Sequence, residues 1–159
     1  NEDSDSALNG KIRMTWDPWI GISLSEFVSK SKDYVNPKWG HFEEYWFEEQ
    51  YNIFKIYFNS IQVVFQDEWE NPNSLILKTV WFWGLLKALK DIFAITTRNH
   101  PDFSTESVTA VLNLINDLKF DKSIFPGWWI TAQDAAGNTI ISKIKQRLTE
   151  EHIPRVRIW

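Results

Sequence analysis

The chain has 159 residues, 43% hydrophobic and 24% charged, which matches one ordinary globular domain and excludes disordered, collagen-like and low-complexity classes. It has no cysteine, so disulfide frameworks, thiolate metal sites, iron–sulfur clusters and cysteine nucleophiles are excluded together. Its charge is uneven: residues 1–70 carry six basic against thirteen acidic side chains, 71–142 balance at six each, and 143–159 hold five basic against two acidic.

The N-terminal stretch Asn1 to Ser6 is polar and acidic, with no charged region leading into an apolar one, so no secretory signal is read there and the chain looks cut from a longer one. Lys11 to Thr15 fits a short extended segment, and Asp17-Pro18 a turn. Ser23 with Glu26 forms a capping box that starts a helix carrying Leu24, Phe27, Val28 and Val35 near one face, and Asn36-Pro37 stops it. From His41 to Phe65 the apolar positions Phe42, Tyr45, Trp46, Ile53, Phe54, Tyr57, Phe58, Ile61, Val64 and Phe65 recur at threes and fours, which predicts a long amphipathic helix. Glu43, Glu44, Glu48 and Glu49 sit early in it, where the helix dipole favours acids.

Asn71-Pro72-Asn73-Ser74 breaks that pattern and offers Asn73 or Ser74 as the next cap. The following run, about Leu75 to Phe93, is apolar nearly all round, which predicts the central helix of the core. The wider stretch to Ile95 is interrupted by Lys78, Lys87, Lys90 and Asp91, too often for a membrane span. With neither signal nor span, a cytoplasmic protein is expected. Thr96 to Phe103 reads as a polar loop, and Ser104 or Thr105 caps a helix with Val108, Val111, Leu112, Ile115 and Leu118 on one side. Trp128 to Thr131 reads as extended and Asp134-Ala135-Ala136-Gly137-Asn138 as a turn. Helical period returns with Ile140, Ile141, Ile144 and Leu148 up to about Glu150. These patterns predict a mainly α protein, an irregular bundle of about five helices forming one domain over 1–159. The minor extended element, if any, falls near Lys11 to Thr15 or Trp128 to Thr131.

Chemistry-bearing patterns are sparse. Glu44 and Glu48 share a helix face, but the Glu-x-x-His pairs of a bundle-type di-iron site are missing. His41, His100 and His152 lie at three separate junctions, none at metal-binding spacing. No Gly-x-Ser-x-Gly elbow and no glycine-rich phosphate loop occurs. No catalytic residue, cofactor site or metal site is therefore expected.

Aromatic content is the most unusual feature, with ten Trp, eleven Phe and four Tyr. Trp81 and Trp83, two positions apart, cannot point the same way, so one of them meets a second layer or a partner. Trp16, Trp19, Trp128, Trp129 and the terminal Trp159 are candidate interface anchors, because binding hot spots favour such rings; a contiguous apolar patch near Trp128 and Trp129, or around Trp16 and Trp19, is expected to support self-association. Lys143, Lys145, Arg147, Arg155 and Arg157 are candidates for a weak, salt-sensitive nucleic-acid contact.

Several segments, in order, resemble the C-terminal region of the DGQHR-domain family, which includes DndB-like proteins. Glu2-Asp3-Ser4 followed by Gly10-Lys11-Ile12-Arg13-Met14 is similar to that family's "EDS…GKIRL", and Ile22-Ser23-Leu24-Ser25-Glu26-Phe27-Val28 to its "ISxxxFV". Tyr57-Phe58 with Ile61, Trp69-Glu70-Asn71-Pro72, and Leu77-Lys78-Thr79 with Gly84 to Leu89 resemble its helix, "W…P" loop and "L.KT.G..AL..LL" run. Ala136-Gly137-Asn138-Thr139-Ile140 with Ile144 resembles its closing helix. The Asp-Gly-Gln-His-Arg string itself is absent, so none of its functional residues carries over. The resemblance implies a non-catalytic interaction or scaffold domain of a bacterial protein associated with DNA modification or its regulation, docking on its own upstream domain or on a partner subunit. Two alternatives stand beside it: an accessory part of a nucleotide- or DNA-processing enzyme whose active site lies upstream, and a weak DNA-binding domain. No membrane partner is expected.

Overall fold

The computed structural model describes residues 4–9, 47–121, 123 and 129–152. Among the described residues there are five helices and no strand: α1 (Phe47–Val64), α2 (Gln66–Glu70), α3 (Thr79–Asn99), α4 (Thr105–Asn113) and α5 (Trp129–His152). The mainly α reading therefore holds. The expected extended segment at Lys11 to Thr15 and the Ser23-capped helix lie outside the described residues.

α1 forms because Ile53, Tyr57 and Ile61 recur every four residues and all three are buried. Its first turn carries Glu48 and Glu49, as the dipole favours. The helix breaks at Phe65, whose backbone leaves helical geometry (φ −112°, ψ 40°), and a separate short helix, α2, follows. Asn71 ends α2 in an extended conformation (ψ 116°), as the residue before Pro72 must.

The start of α3 differs from expectation. Neither Asn73 nor Ser74 caps it; Lys78 occupies the cap position without a side-chain bond. Ser74 instead donates to Glu68 Oε2 (2.6 Å) and accepts from the Ile76 amide (3.2 Å). The Leu75 amide is drawn out of helical register to the Phe120 carbonyl (3.1 Å). At its other end α3 runs six residues past Phe93, through what reads as a polar loop, because Ile95 and Thr96 turn into the core. It stops at His100, which is extended (ψ 155°) ahead of Pro101. Ser104 then caps α4, accepting from the Ser107 amide at 3.3 Å. The helix closes at Asn113, but Ile115, in the turn that follows, and Leu118 and Phe120, in the irregular stretch after it, continue into the core.

The largest correction falls on α5. Trp129 to Thr131 is helical rather than extended, and Asp134 to Asn138 is helix interior rather than turn. The cause lies on α3. A Cβ built on Gly84 would stand 2.5 Å from Ala136 Cβ, and one on Gly137 would stand 3.1 Å from the Gly84 carbonyl oxygen and 3.2 Å from Lys87 Cβ. Gly137 thus serves close helix approach rather than chain reversal, with Ala88, Ala132 and Ala136 also buried. Gly84 faces Gly137, and farther along Asp91 faces Lys145, so α3 and α5 run parallel. Lys87 and Asp134 pair across the crossing.

α1 packs antiparallel to α3. The Tyr57 hydroxyl donates to the Leu85 carbonyl (2.8 Å), and Phe58 stacks on Phe82 with ring centroids 5.4 Å apart. On another side α1 meets α4, where Ser60 Oγ donates to the Thr105 carbonyl (3.2 Å). Phe120 joins the assembly by edge contacts to Phe65 (4.9 Å) and Trp81 (4.8 Å). The N-terminal piece 4–9 is held on α1 by the Asn59 amide and an ion pair: Asn59 Oδ1 accepts from the Ala7 amide (2.7 Å), Asn59 Nδ2 donates to the Asp5 carbonyl (3.1 Å), and Lys55 reaches Asp5 at 3.9 Å.

Candidate functional site

Three of the five basic residues singled out at the C-terminal end, Lys143, Lys145 and Arg147, lie on α5, while Arg155 and Arg157 fall outside the described residues. α5 is seated by Ile140, Ile141 and Ile144, all buried on its inner side. Past Ile144, among the described residues, Leu148 still packs against the core. The basic residues flank this seat. Lys143 and Arg147, one turn apart, both reach Asp117, at 3.0 and 3.6 Å. Lys145, on the other flank, reaches Asp91 of α3 at 3.7 Å. Arg147 also approaches Glu150 at 3.7 Å.

Asp117 stands in the turn after α4. The hydrogen bond from Lys143 holds its carboxyl below the usual aspartate range, with the Lys143 and Arg147 charges adding to the effect. Asp91 and Asp117 have no sequence pattern that marks them as counterions; their partners are tens of residues away along the chain. The basic residues were legible, and the acids that neutralise them were not.

A second polar group surrounds the start of α4. Ser104 Oγ donates to Ser107 Oγ (3.1 Å), and Ser107 Oγ donates to Asp102 Oδ1 (2.9 Å). This network satisfies amides at a helix start. Asp121 forms a smaller one, accepting from the Ser123 amide (2.8 Å) and hydroxyl, and these bonds hold its carboxyl below the usual range. An open apolar groove of about 320 Å³ lies between α1 and α3, walled by Ile53, Ile56, Phe93 and Phe103 with Glu49 at its edge.

Of the candidate anchors, Trp16, Trp19, Trp128 and Trp159 lie outside the described residues, and Trp129 opens α5. Trp81 and Trp83 part company as their spacing requires. Trp81 is fully buried and donates from Nε1 to the Asp121 carbonyl (3.0 Å), whereas Trp83 is half-buried. His100 ends α3, its amide bonded to the Thr96 carbonyl (2.8 Å). No group of three or more His, Asp or Glu able to hold a metal occurs among the described residues. Nor is any helix among them long and apolar enough to cross a membrane.

Comparison with protein-family models, with curated proteins and with solved structures finds no match to this chain.

Proposed function

We propose that this chain is a non-catalytic interaction domain, the C-terminal part of a DGQHR-type protein associated with bacterial DNA modification or its regulation. It docks on the upstream domain of its own protein or on a partner subunit, with Trp128 and Trp129 as the candidate anchors. The observation that supports the reading is how the polar chemistry is used. The serine–aspartate network at Asp102, Ser104 and Ser107 caps α4, and the lysines and arginine of α5 pair with Asp91, Asp117 and Glu150. The first set caps a helix start, and the second consists of surface ion pairs between α5 and its surroundings. The parallel crossing of α3 and α5 is too close for a Cβ at Gly84, which fixes α5 against α3 near Gly137.

Co-expression with the preceding region of the parent reading frame, supplied as a separate polypeptide, tests this. A complex that co-elutes on size exclusion and dissociates on Trp128→Ala plus Trp129→Ala is the expected result. Two species that elute independently, or a parent frame without the Asp-Gly-Gln-His-Arg string, would overturn it.

A further inference from the structure

We infer that the basic side chains on the two flanks of α5 form a binding surface for the phosphate backbone of a nucleic-acid duplex, masked in cis by Asp117, Asp91 and Glu150. The inference does not rest on the scaffold reading above; it follows from how three cations are paired. Asp117 alone serves both Lys143 and Arg147, and Asp91 serves Lys145. These two carboxylates come from different parts of the fold, the turn after α4 and the middle of α3, and they converge on opposite flanks of one helix. With Glu150 also on Arg147, three acids cancel these three cations, although 143–159 is the most basic stretch of the sequence.

The pairs are weak enough to exchange. The side chains of Lys145, Arg147 and Asp117 are 61%, 46% and 54% exposed, with Lys143 at 26% and Asp91 at 33%, and ion pairs between solvent-accessible side chains add little. They are also screened by salt. A polyphosphate backbone that engages the same cations gains counterion release, which the cis carboxylates do not supply. Exchange needs no movement of the helix, because Ile140, Ile141 and Ile144 fix it from beneath. Only side chains must turn. The native chain therefore binds duplex weakly, and the acids set how weakly.

The test is binding of the full chain to a short labelled DNA duplex by fluorescence anisotropy, from low salt to about 0.15 M. The chain with Asp91→Asn and Asp117→Asn frees Lys143 and Lys145 while Arg147 keeps Glu150; it should bind about tenfold tighter at low salt and show a log–log salt slope steeper by about two units, since each added phosphate contact contributes about 0.9. A control with Glu48→Gln and Glu106→Gln makes the same change in net charge at exposed sites on α1 and α4. It should behave as the native chain does. Adding Lys143→Ala and Arg147→Ala to the unmasked variant should restore weak binding. Should the double variant fail to fold, Asp91→Asn alone frees Lys145 and should steepen the slope by about one unit. An unmasked variant that binds no better than the native chain, or a control that gains as much, overturns the inference.

Discussion

At the scale of single residues, the closest contact of the fold makes a prediction opposite to helix propensity. Alanine is favoured over glycine inside a helix by about 1 kcal/mol, which taken alone makes Gly84→Ala stabilising. The added methyl, however, would lie 2.5 Å from Ala136 Cβ, and overpacking of this kind costs about 1–3 kcal/mol. Gly84→Ala is expected to lower stability, and Gly137→Ala, whose methyl meets its neighbours at 3.1 and 3.2 Å, to lower it less. Urea midpoints of the two variants against the native chain check that order; a stabilised Gly84→Ala would show that α3 and α5 do not approach so closely. Thr96 makes the reverse case. It is fully buried, and among the described residues its hydroxyl finds no hydrogen-bond partner. An unsatisfied buried polar group costs about 1–3 kcal/mol, so Thr96→Val, of nearly the same shape, should raise the urea midpoint. A lower midpoint would mean that the hydroxyl is bonded after all.

At the scale of elements, α5 is held differently along its length: by close glycine and alanine packing near Gly137, by isoleucines at 140–144, and by charge beyond them. The charged part has a pH signature. Asp117 is held below its usual value in the folded chain, so its contribution is complete above the unfolded aspartate value of about 3.9 and is lost as pH falls through the lower folded value. Asp121 behaves likewise through Ser123. Asp117→Asn should therefore flatten, without abolishing, the fall in urea midpoint below about pH 4; an unchanged acid limb would contradict the Lys143 contact. The same helix shows where sequence reading stops. α1 and α4 were legible because periodicity, acidic first turns and the Ser104 cap are local signals. Residues 134–138 read as a turn because Asp, Gly and Asn favour turns locally, and the reason Gly137 is helical stands on another helix at Gly84. The candidate site divides in the same way. Lys143, Lys145 and Arg147 announce their charge in sequence, but Asp91 and Asp117 become their partners only through packing of α3, α4 and α5.

At the scale of the molecule, two helix pairs must be joined into one body: α3 with α5 through the glycine crossing, and α1 with α4 through Ser60 and Thr105. Tyr57, Phe58, Leu85 and Phe82 connect them along the α1–α3 face. Phe120 connects them a second time. It belongs to no helix, yet its ring sits edge-on between Phe65, just past α1, and Trp81 of α3, while its carbonyl takes the amide of Leu75. Phe120→Ala removes both ring contacts and leaves a cavity between the pairs, a change that typically costs about 3–5 kcal/mol, a large share of the stability of a chain this size. If the two pairs fold as one cooperative unit, the loss must appear in both. Hydrogen exchange under native conditions reads this directly, because amide protection reports the opening of each segment separately. The expected outcome is a parallel loss of protection at Ile61 and Val111 on one side and at Leu89 and Ile140 on the other. Loss confined to α1 and α4, with α3 and α5 unchanged, would show that the glycine crossing forms an independent unit to which the rest is only attached.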